Sequence, residues 1–289
     1  MDLFWQLTVT GLLTGVVYAL LGVSWGLIYG TTRTFHFAHG LAYACAAYAA
    51  VAATQHLAGN LVVGIVAGVL GAMVVGLACE LLVYAPLRRR ATLQLGIFLA
   101  SLGILIAGQS FLQIGFGPDA QTLKVPSLGI QIWGPVAASR PLLLSSGIAA
   151  VLVLALALFL QRTRLGREIR ATARNYDLAE LVGIRSPQVY ALTFAIGSAM
   201  IGPAAVLFAL DNVATPQMGV SAVLYAFIAV FLGGLESLWG AVIGGIALGL
   251  IAQWSSLWLP AYWQTTAAFA LFFLVLVLRP AGILGRVAR

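Results

Sequence analysis

Residues 161–188 read QRTRLGREIRATARNYDLAELVGIRSPQ, and this stretch differs sharply from the apolar chain around it. It holds nine of the 23 charged residues, which are 15 Lys and Arg plus 8 Asp and Glu, and six of those nine are arginines. An excess of arginine beside apolar spans is typical of a loop on the cytoplasmic side of a membrane. We therefore expect residues 162–188, here called the arginine loop, to lie in the cytoplasm between two spans.

The composition of the whole chain points to a membrane protein. Apolar residues make up 62% of the 289 residues and charged residues 8%, which is too few charges to cover the surface of a soluble domain. The net charge of +7 is explained by orientation in the membrane and contact with anionic membrane lipid, so nucleic acid is not an expected partner. The composition indicates a polytopic integral membrane protein.

Long apolar runs divide the chain into candidate spans, each needing roughly 20 residues. They lie at about 7–29, 41–58, 60–84, 92–116, 141–161, 189–210, 222–258 and 263–279. The run 222–258 is too long for one span and predicts two short spans or a re-entrant hairpin. We predict an all-α polytopic bundle of about eight crossings, forming a single transmembrane domain over residues 1–289. With the arginine loop inside, parity puts the N-terminus outside and the C-terminus in the cytoplasm.

Two short polar or glycine-bearing breaks interrupt the apolar pattern, near residues 31–40 and 233–240. The first contains His36, Phe37 and His39, with Tyr43 one turn further along. An ionisable group at membrane depth costs up to about 3 kcal/mol on insertion scales and therefore suggests a solute path. A second explanation stays open, in which His39 caps a helix or ties two helices together. The second break contains Gly233, Gly234 and Glu236, and we expect a broken or re-entrant helix at each break.

The arginine loop also has helical periodicity. Leu165, Ile169, Thr172, Tyr176 and Ala179 fall on one face of a helical wheel, with arginines opposite, so the loop predicts one amphipathic helix over about 165–181. Such a helix either lies on lipid headgroups or docks into a groove of another protein.

Motifs for catalysis and metal binding are missing from the sequence. The chain's one lysine is Lys124, so the phosphate-binding pattern GxxxxGK[ST] cannot occur, and GxSxG and HExxH do not occur either. His36 and His39 lack a third metal ligand nearby, while Cys45 and Cys79 lack a CxxC partner. We expect no enzyme activity, no metal and no cofactor.

Several segments together resemble a known family, the inner-membrane permease subunits of the branched-chain (hydrophobic) amino acid ABC importers. In chain order they are GLIYG at 26–30, FAHG at 37–40, RLGR at 164–167, DLAELVGI at 177–184, FLGGLES at 231–237 with Gly240, and LRPAGI at 278–283. The resemblance covers about residues 7–285. It departs from the family pattern at His36, where Asn is usual, and at Leu41, where an acidic residue is common.

The resemblance implies a permease that forms half of a translocation pathway for a small amino acid or related polar solute. It implies a second related permease, two cytoplasmic ATPase subunits and a periplasmic solute-binding protein as partners in the bacterial inner membrane. The arginine loop would be the ATPase-coupling loop, and the implied coupling residues are Leu165, Ile169, Tyr176, Asp177, Ala179, Glu180, Gly183 and Ile184. An ion-coupled secondary transporter, using Glu236 with His39, and a passive channel are the alternatives.

Overall fold

The computed structural model describes residues 2–56, 59–90, 92–134, 136–235, 237–260, 263–279 and 282–284. Most of these residues are helical. The helices are α1 (Asp2–Thr32), α2 (His39–His56), α3 (Leu61–Ala78), a π-helix (Cys79–Tyr84), α4 (Ala85–Arg89), α5 (Gln94–Phe116), α6 (Arg140–Arg162), α7 (Arg164–Arg174), α8 (Tyr176–Leu181), α9 (Ser186–Asp211), α10 (Met218–Gly233), α11 (Leu238–Ser255) and α12 (Gln264–Leu278). The fold is the all-α polytopic bundle that the apolar runs predict.

Six helical segments in the described part of the chain are long and apolar enough to cross a membrane. They are Asp2–Thr32, Leu61–Arg89, Gln94–Phe116, Arg140–Arg162, Ser186–Asp211 and Leu238–Ser255, and α10 and α12 are shorter apolar helices. The first and fifth of these spans are the most buried, while Gln94–Phe116 is the least buried. The core is therefore built around α1 and α9, and α5 lies at the periphery.

Small residues allow α1 to pack closely on its neighbours. A Cβ added at Gly15 would lie 2.8 Å from the Cα of Ile246, and a Cβ at Gly249 would overlap the backbone of Gly15. Glycines four residues apart permit this approach between helix backbones in lipid. Gly30 is an exception, because a Cβ there would meet no atom within 4 Å.

Both predicted breaks are real. The first separates α1, which ends at Thr32, from α2, which begins at His39. The second separates α10 from α11: Gly234 has a left-handed φ of 108°, and the Ser237 hydroxyl caps α11 by accepting from the Gly240 amide at 2.9 Å. The run 222–258 is thus divided between two helices, α10 and α11. Glu236 lies outside the described residues.

A later segment of the chain completes the second break. The amide of Ile283 donates to the Leu232 carbonyl at 2.8 Å, and the amide of Leu284 donates to the Gly233 carbonyl at 3.0 Å. These carbonyls lie at the end of α10, where helix geometry leaves them without partners inside the helix. The end of α10 is therefore closed by residues about fifty positions further along the sequence.

The prediction of a single helix over 165–181 is wrong, because the structure has two helices there. Asn175 lies between α7 and α8 with extended backbone angles (φ −156°, ψ 108°), and its side-chain oxygen accepts from the Leu178 amide at 3.0 Å. An asparagine that caps a new helix competes with continuation of the preceding one. The periodic pattern runs on through this position, so periodicity alone does not reveal the interruption.

The loop between α5 and α6 contains a small hairpin of two antiparallel strands, β1 (Ile130–Trp133) and β2 (Val136–Ser139). The side-chain amide of Gln6 in α1 ties β2 to the bundle, since it donates to the Ala137 carbonyl at 2.6 Å and accepts from the Ala137 amide at 2.7 Å. The hairpin and the arginine loop lie at opposite ends of α6.

Candidate functional site

The first break is held by two buried histidines. The Oγ of Ser24 donates to the Leu21 carbonyl at 2.8 Å and lies 3.0 Å from Nε2 of His39, so this hydroxyl accepts from the Nε2–H of His39. Nδ1 of His36 lies 2.9 Å from the Tyr84 hydroxyl at the end of the π-helix. His36 is 0% and His39 2% exposed. The two rings therefore tie the start of α2 to α1 and the π-helix.

The backbone of the first break is also satisfied by side chains. The amide of Phe37 donates to the Ser101 hydroxyl at 3.2 Å, and that hydroxyl donates to the Phe35 carbonyl at 2.9 Å. The indole N–H of Trp25 donates to the His36 carbonyl at 3.1 Å. Burying non-helical backbone requires such partners. These contacts match the helix-tying alternative for this break, and the solute-path alternative stays a prediction.

Tyr43, the remaining predicted path residue on α2, lies apart from the histidines. It lines a cavity of about 200 Å³ between α1, α2, α6, α9 and α10. Tyr18, Ser145, Asp211 and Tyr225 supply polar groups to the same wall. A mainly apolar cavity with a few polar groups is the usual form of a small-molecule site. The position near the end of α9 and the start of α10 places it at the end of the bundle opposite the arginine loop.

Gly233 and Gly234 lie at a close contact between α10 and α11. A Cβ at Gly233 would overlap the backbone of Gly240. Beside this break, Leu235 and Ser237 line a cavity of about 140 Å³ together with Gly30 of α1 and Arg170 of α7. The second break therefore lies next to the last turns of α1, at the same end of that helix as the first break.

The predicted coupling residues divide into buried and exposed sets. Ile169 is 2% and Ala179 3% exposed, so their side chains pack against this chain rather than facing outward. Leu165 and Tyr176 are exposed, as are Asp177, Glu180 and Gly183, whereas Ile184 is half-buried. The interruption at Asn175 breaks the stripe, because α7 and α8 no longer share one helical register.

Sequence reasoning missed the most exposed apolar side chains of the arginine loop. Leu178, Leu181 and Val182 are 59%, 81% and 76% exposed, and we call these three residues the apolar patch. Their spacing of i, i+3 and i+4 puts them on one side of a helix. That spacing was present in the sequence, but it was hidden by the longer stripe that runs through Ala179.

The short helix α8 is fixed at both ends. Asn175 caps its start, and after it Gly183 takes a left-handed φ of 85°, which lets its amide donate to the Glu180 carbonyl at 3.0 Å. The side chain of Glu180 also accepts a hydrogen bond from Tyr176, and this bond, with some desolvation, raises the pKa of the Tyr176 hydroxyl. The apolar patch is thus presented on a defined support.

The sequence is similar to known transport proteins. Residues 7–278 match the family described as "Branched-chain amino acid transport system / permease component". The chain is 32% identical over 302 residues to the high-affinity branched-chain amino acid transport system permease protein LivH of Salmonella typhimurium, covering 98% of this chain and 96% of that protein. It is also 32% identical over 297 residues to BraD of Pseudomonas aeruginosa, a permease of the same description, covering 97% and 95%.

Among solved structures, PsaBC from Streptococcus pneumoniae in complex with Fab matches with a TM-score of 0.49 and 13% identity, covering 92% of this chain and 90% of that one. The family match spans more than nine tenths of the sequence, and the curated relatives align over nearly their full length. The chain therefore belongs to the family of branched-chain amino acid transport permeases.

Proposed function

We propose that this chain is one of two related permease subunits of an ATP-driven importer in the bacterial inner membrane. Two cytoplasmic ATPases would drive it, and a periplasmic protein would deliver a branched-chain or other small amino acid. Full-length similarity to LivH and BraD, both described as branched-chain amino acid permeases, supports the solute class. The departures at His36 and Leu41 leave room for a related polar solute such as an amide.

The apolar patch is the observation that carries this proposal. Three large apolar side chains on a highly charged, water-facing loop expose surface that a partner would bury. The patch lies beside the exposed acidic residues Asp177 and Glu180, so a partner groove would combine an apolar floor with polar or basic edges. Buried Ala179 and the Asn175 cap hold α8 in place. A cytoplasmic ATPase is the partner that fits an importer of this family.

The proposed solute path uses the predicted residues in order from the outer face. Solute would arrive near the loop 117–140 and the segment 211–219, and then enter the cavity lined by Tyr43. It would continue past His36, Phe37 and His39 and past the second break at Gly233, Gly234 and Glu236. His36 and His39 are buried, so passage at this level requires α1 and α2 to separate. ATPase movement transmitted through the arginine loop would supply that separation.

A charge placed in the apolar patch tests the proposal. Leu181→Arg should weaken recruitment of the co-expressed ATPase by about tenfold or more, because an unpaired charge in an apolar contact costs several kcal/mol. Arg167→Glu changes an exposed charge of α7 outside the patch and is the matched control. Recruitment is measured by affinity capture from detergent, and function by ATP-dependent leucine uptake into proteoliposomes.

Normal recruitment by Leu181→Arg would show that the patch faces lipid headgroups and would remove the main support for ATPase docking here. If the wild-type complex recruits the ATPase but takes up another amino acid or an amide instead of leucine, only the proposed solute would need correction.

A further inference from the structure

A chain of side-chain contacts leads from the arginine loop into the membrane part of the molecule. The rings of Tyr176 in α8 and Tyr190 in α9 are stacked, with 6.1 Å between centroids and 26° between planes. The guanidinium carbon of Arg88 in α4 lies 4.7 Å from the centroid of the Tyr190 ring. Arg88 also donates through Nη2 to Oε1 of Glu80, whose side chain is 1% exposed. We call these four residues the stack.

Tyr84 links the stack to the first break. Glu80 belongs to the π-helix, which ends at Tyr84, and the Tyr84 hydroxyl lies 2.9 Å from Nδ1 of His36. Tyr84 and Arg88 are four residues apart on one continuous helical segment, so they lie on the same face in consecutive turns. Arg88 therefore stands between the exposed α8 and the buried connection from α1 to α2.

The surroundings of the stack leave it room to move. A cavity of about 450 Å³ is bordered by Glu80, Arg88, Tyr176 and Tyr190, together with Thr34 of the first break. Tyr176 is 42% exposed, so its ring is held mainly from one side. A π-helical turn is typical of functional positions because it departs from ordinary helix geometry. The contacts thus connect a movable ring, a planar cation and an irregular helical turn.

We propose that Arg88 is a positioning residue that transmits movement of α8 to the first break. This inference rests on the proposed function, in which the ATPase engages α8. When α8 moves, Tyr176 and Tyr190 shift, and the guanidinium follows the Tyr190 ring while its bond to Glu80 turns the π-helix. Tyr84 then moves relative to His36 and loosens the tie between the π-helix and the first break.

The geometry requires arginine rather than a positive charge alone. A guanidinium is planar, so it lies flat on an aromatic ring while donating in its own plane to a carboxylate. A lysine ammonium would neutralise buried Glu80 but offers no plane to stack on Tyr190. Arg88→Lys therefore separates the positioning role from the need to balance the charge of a buried carboxylate.

The test uses the assembled importer in lipid nanodiscs, with Arg88→Lys, Tyr190→Leu and the ring-preserving control Tyr190→Phe. ATP hydrolysis is measured with and without the solute-loaded binding protein, and ATPase recruitment is measured separately. We expect the first two variants to lose stimulation by roughly fivefold, within the range for single residues on a coupling route, while basal hydrolysis and recruitment stay normal. Tyr190→Phe should behave as wild type.

Full stimulation in Arg88→Lys would show that Arg88 serves only as the charge partner of Glu80, and the inference would be wrong. Failure of the wild-type chain to recruit any ATPase is a different result, because it rejects the proposed function itself.

A second measurement needs no ATPase. Hydrogen exchange at residues 34–40 of the isolated permease reports opening of the first break in wild type, Arg88→Lys, Tyr84→Phe and the double variant. Each single variant should raise the exchange rate at these residues. The double variant should exchange little faster than either single variant, because both substitutions interrupt the same chain of contacts. Additive effects would mean that Arg88 and Tyr84 act independently and would overturn the proposed link.

Discussion

At the scale of single residues, the first break shows how ionisable groups are accommodated inside the helical bundle. His36 and His39 each use one ring nitrogen to join helices, through Tyr84 and Ser24 respectively. Hydrogen bonding lowers the cost of burying such a ring, and the aromatic neighbours of His36 fill the space around it. Both histidines therefore act as ties between helices, while their place on a solute path stays a prediction.

The variant His39→Ala tests which role dominates. It removes the hydrogen bond to Ser24. One lost buried hydrogen bond costs only about 1–3 kcal/mol, so the complex should still largely assemble. We expect solute uptake per assembled complex to fall severalfold. Uptake into proteoliposomes, divided by the amount of complex recovered, is the measurement. His56→Ala, at the exposed end of the same helix, is the control. Lost assembly with unchanged uptake per complex would identify His39 as a structural tie alone.

The scale of helices and loops shows how much the sequence could predict. Apolar runs located the spans, and Gly233 and Gly234 located the second break, because span length and backbone freedom are local properties. The interruption at Asn175 was not predictable from periodicity, since Tyr176 and Ala179 continue the apolar pattern of α7. Nor was the inward position of Ile169, because which face of a helix is buried depends on the partners it meets.

Asn175 should be essential for the shape of the arginine loop. Asn175→Ala removes the cap of α8, which is worth about 1 kcal/mol, so the helix should fray and recruit the ATPase less well. Asn175→Ser keeps a capping oxygen and is the control. Faster hydrogen exchange at Leu178 in the alanine variant, absent from the serine variant, checks the structural step. Equal exchange and recruitment in both variants would show that the cap has no effect on docking.

The contact between α10 and α11 should tolerate no added methyl group. Gly233→Ala would force the Gly240 backbone away, at an expected cost of about 1–3 kcal/mol from overpacking. Gly30→Ala is the matched control within α1, because a Cβ there meets no neighbour within 4 Å and alanine favours helix. The thermal unfolding temperature in detergent should therefore fall for Gly233→Ala and stay the same or rise for Gly30→Ala. Equal unfolding temperatures would contradict close packing at the second break.

At the scale of the whole molecule, one span determines which loops share a side of the membrane. The helix α6 joins the β hairpin to the arginine loop and is long and apolar enough to cross. If α6 crosses the membrane, its two ends lie in different compartments. Arginine in the loop after α6 favours the cytoplasm for that end of the helix, and the orientation of the termini, which was derived from the same arginines, stays a prediction.

Labelling of single cysteines should reveal these two sides. In a background with Cys45 and Cys79 replaced by alanine, Gln131→Cys in the hairpin should react with an impermeant maleimide added to intact cells. Arg174→Cys should react only after the inner membrane is opened. Both positions are partly or fully exposed, so accessibility within the protein does not limit the reaction. Labelling of both cysteines from the same side would show that α6 does not cross the membrane.

The hydrogen bonds from Ile283 and Leu284 to the end of α10 have a consequence for biosynthesis. Residues 232 and 233 leave the ribosome about fifty residues before the segment that satisfies their carbonyls. During that interval the two carbonyl oxygens of the nascent α10–α11 hairpin lack these partners. Because lipid offers no hydrogen-bond donors, water or the insertion machinery must donate to them. The hydrogen bonds of the second break are therefore incomplete until the late segment is synthesised. A message truncated before codon 282 should yield a hairpin that inserts into the membrane but is degraded by membrane proteases.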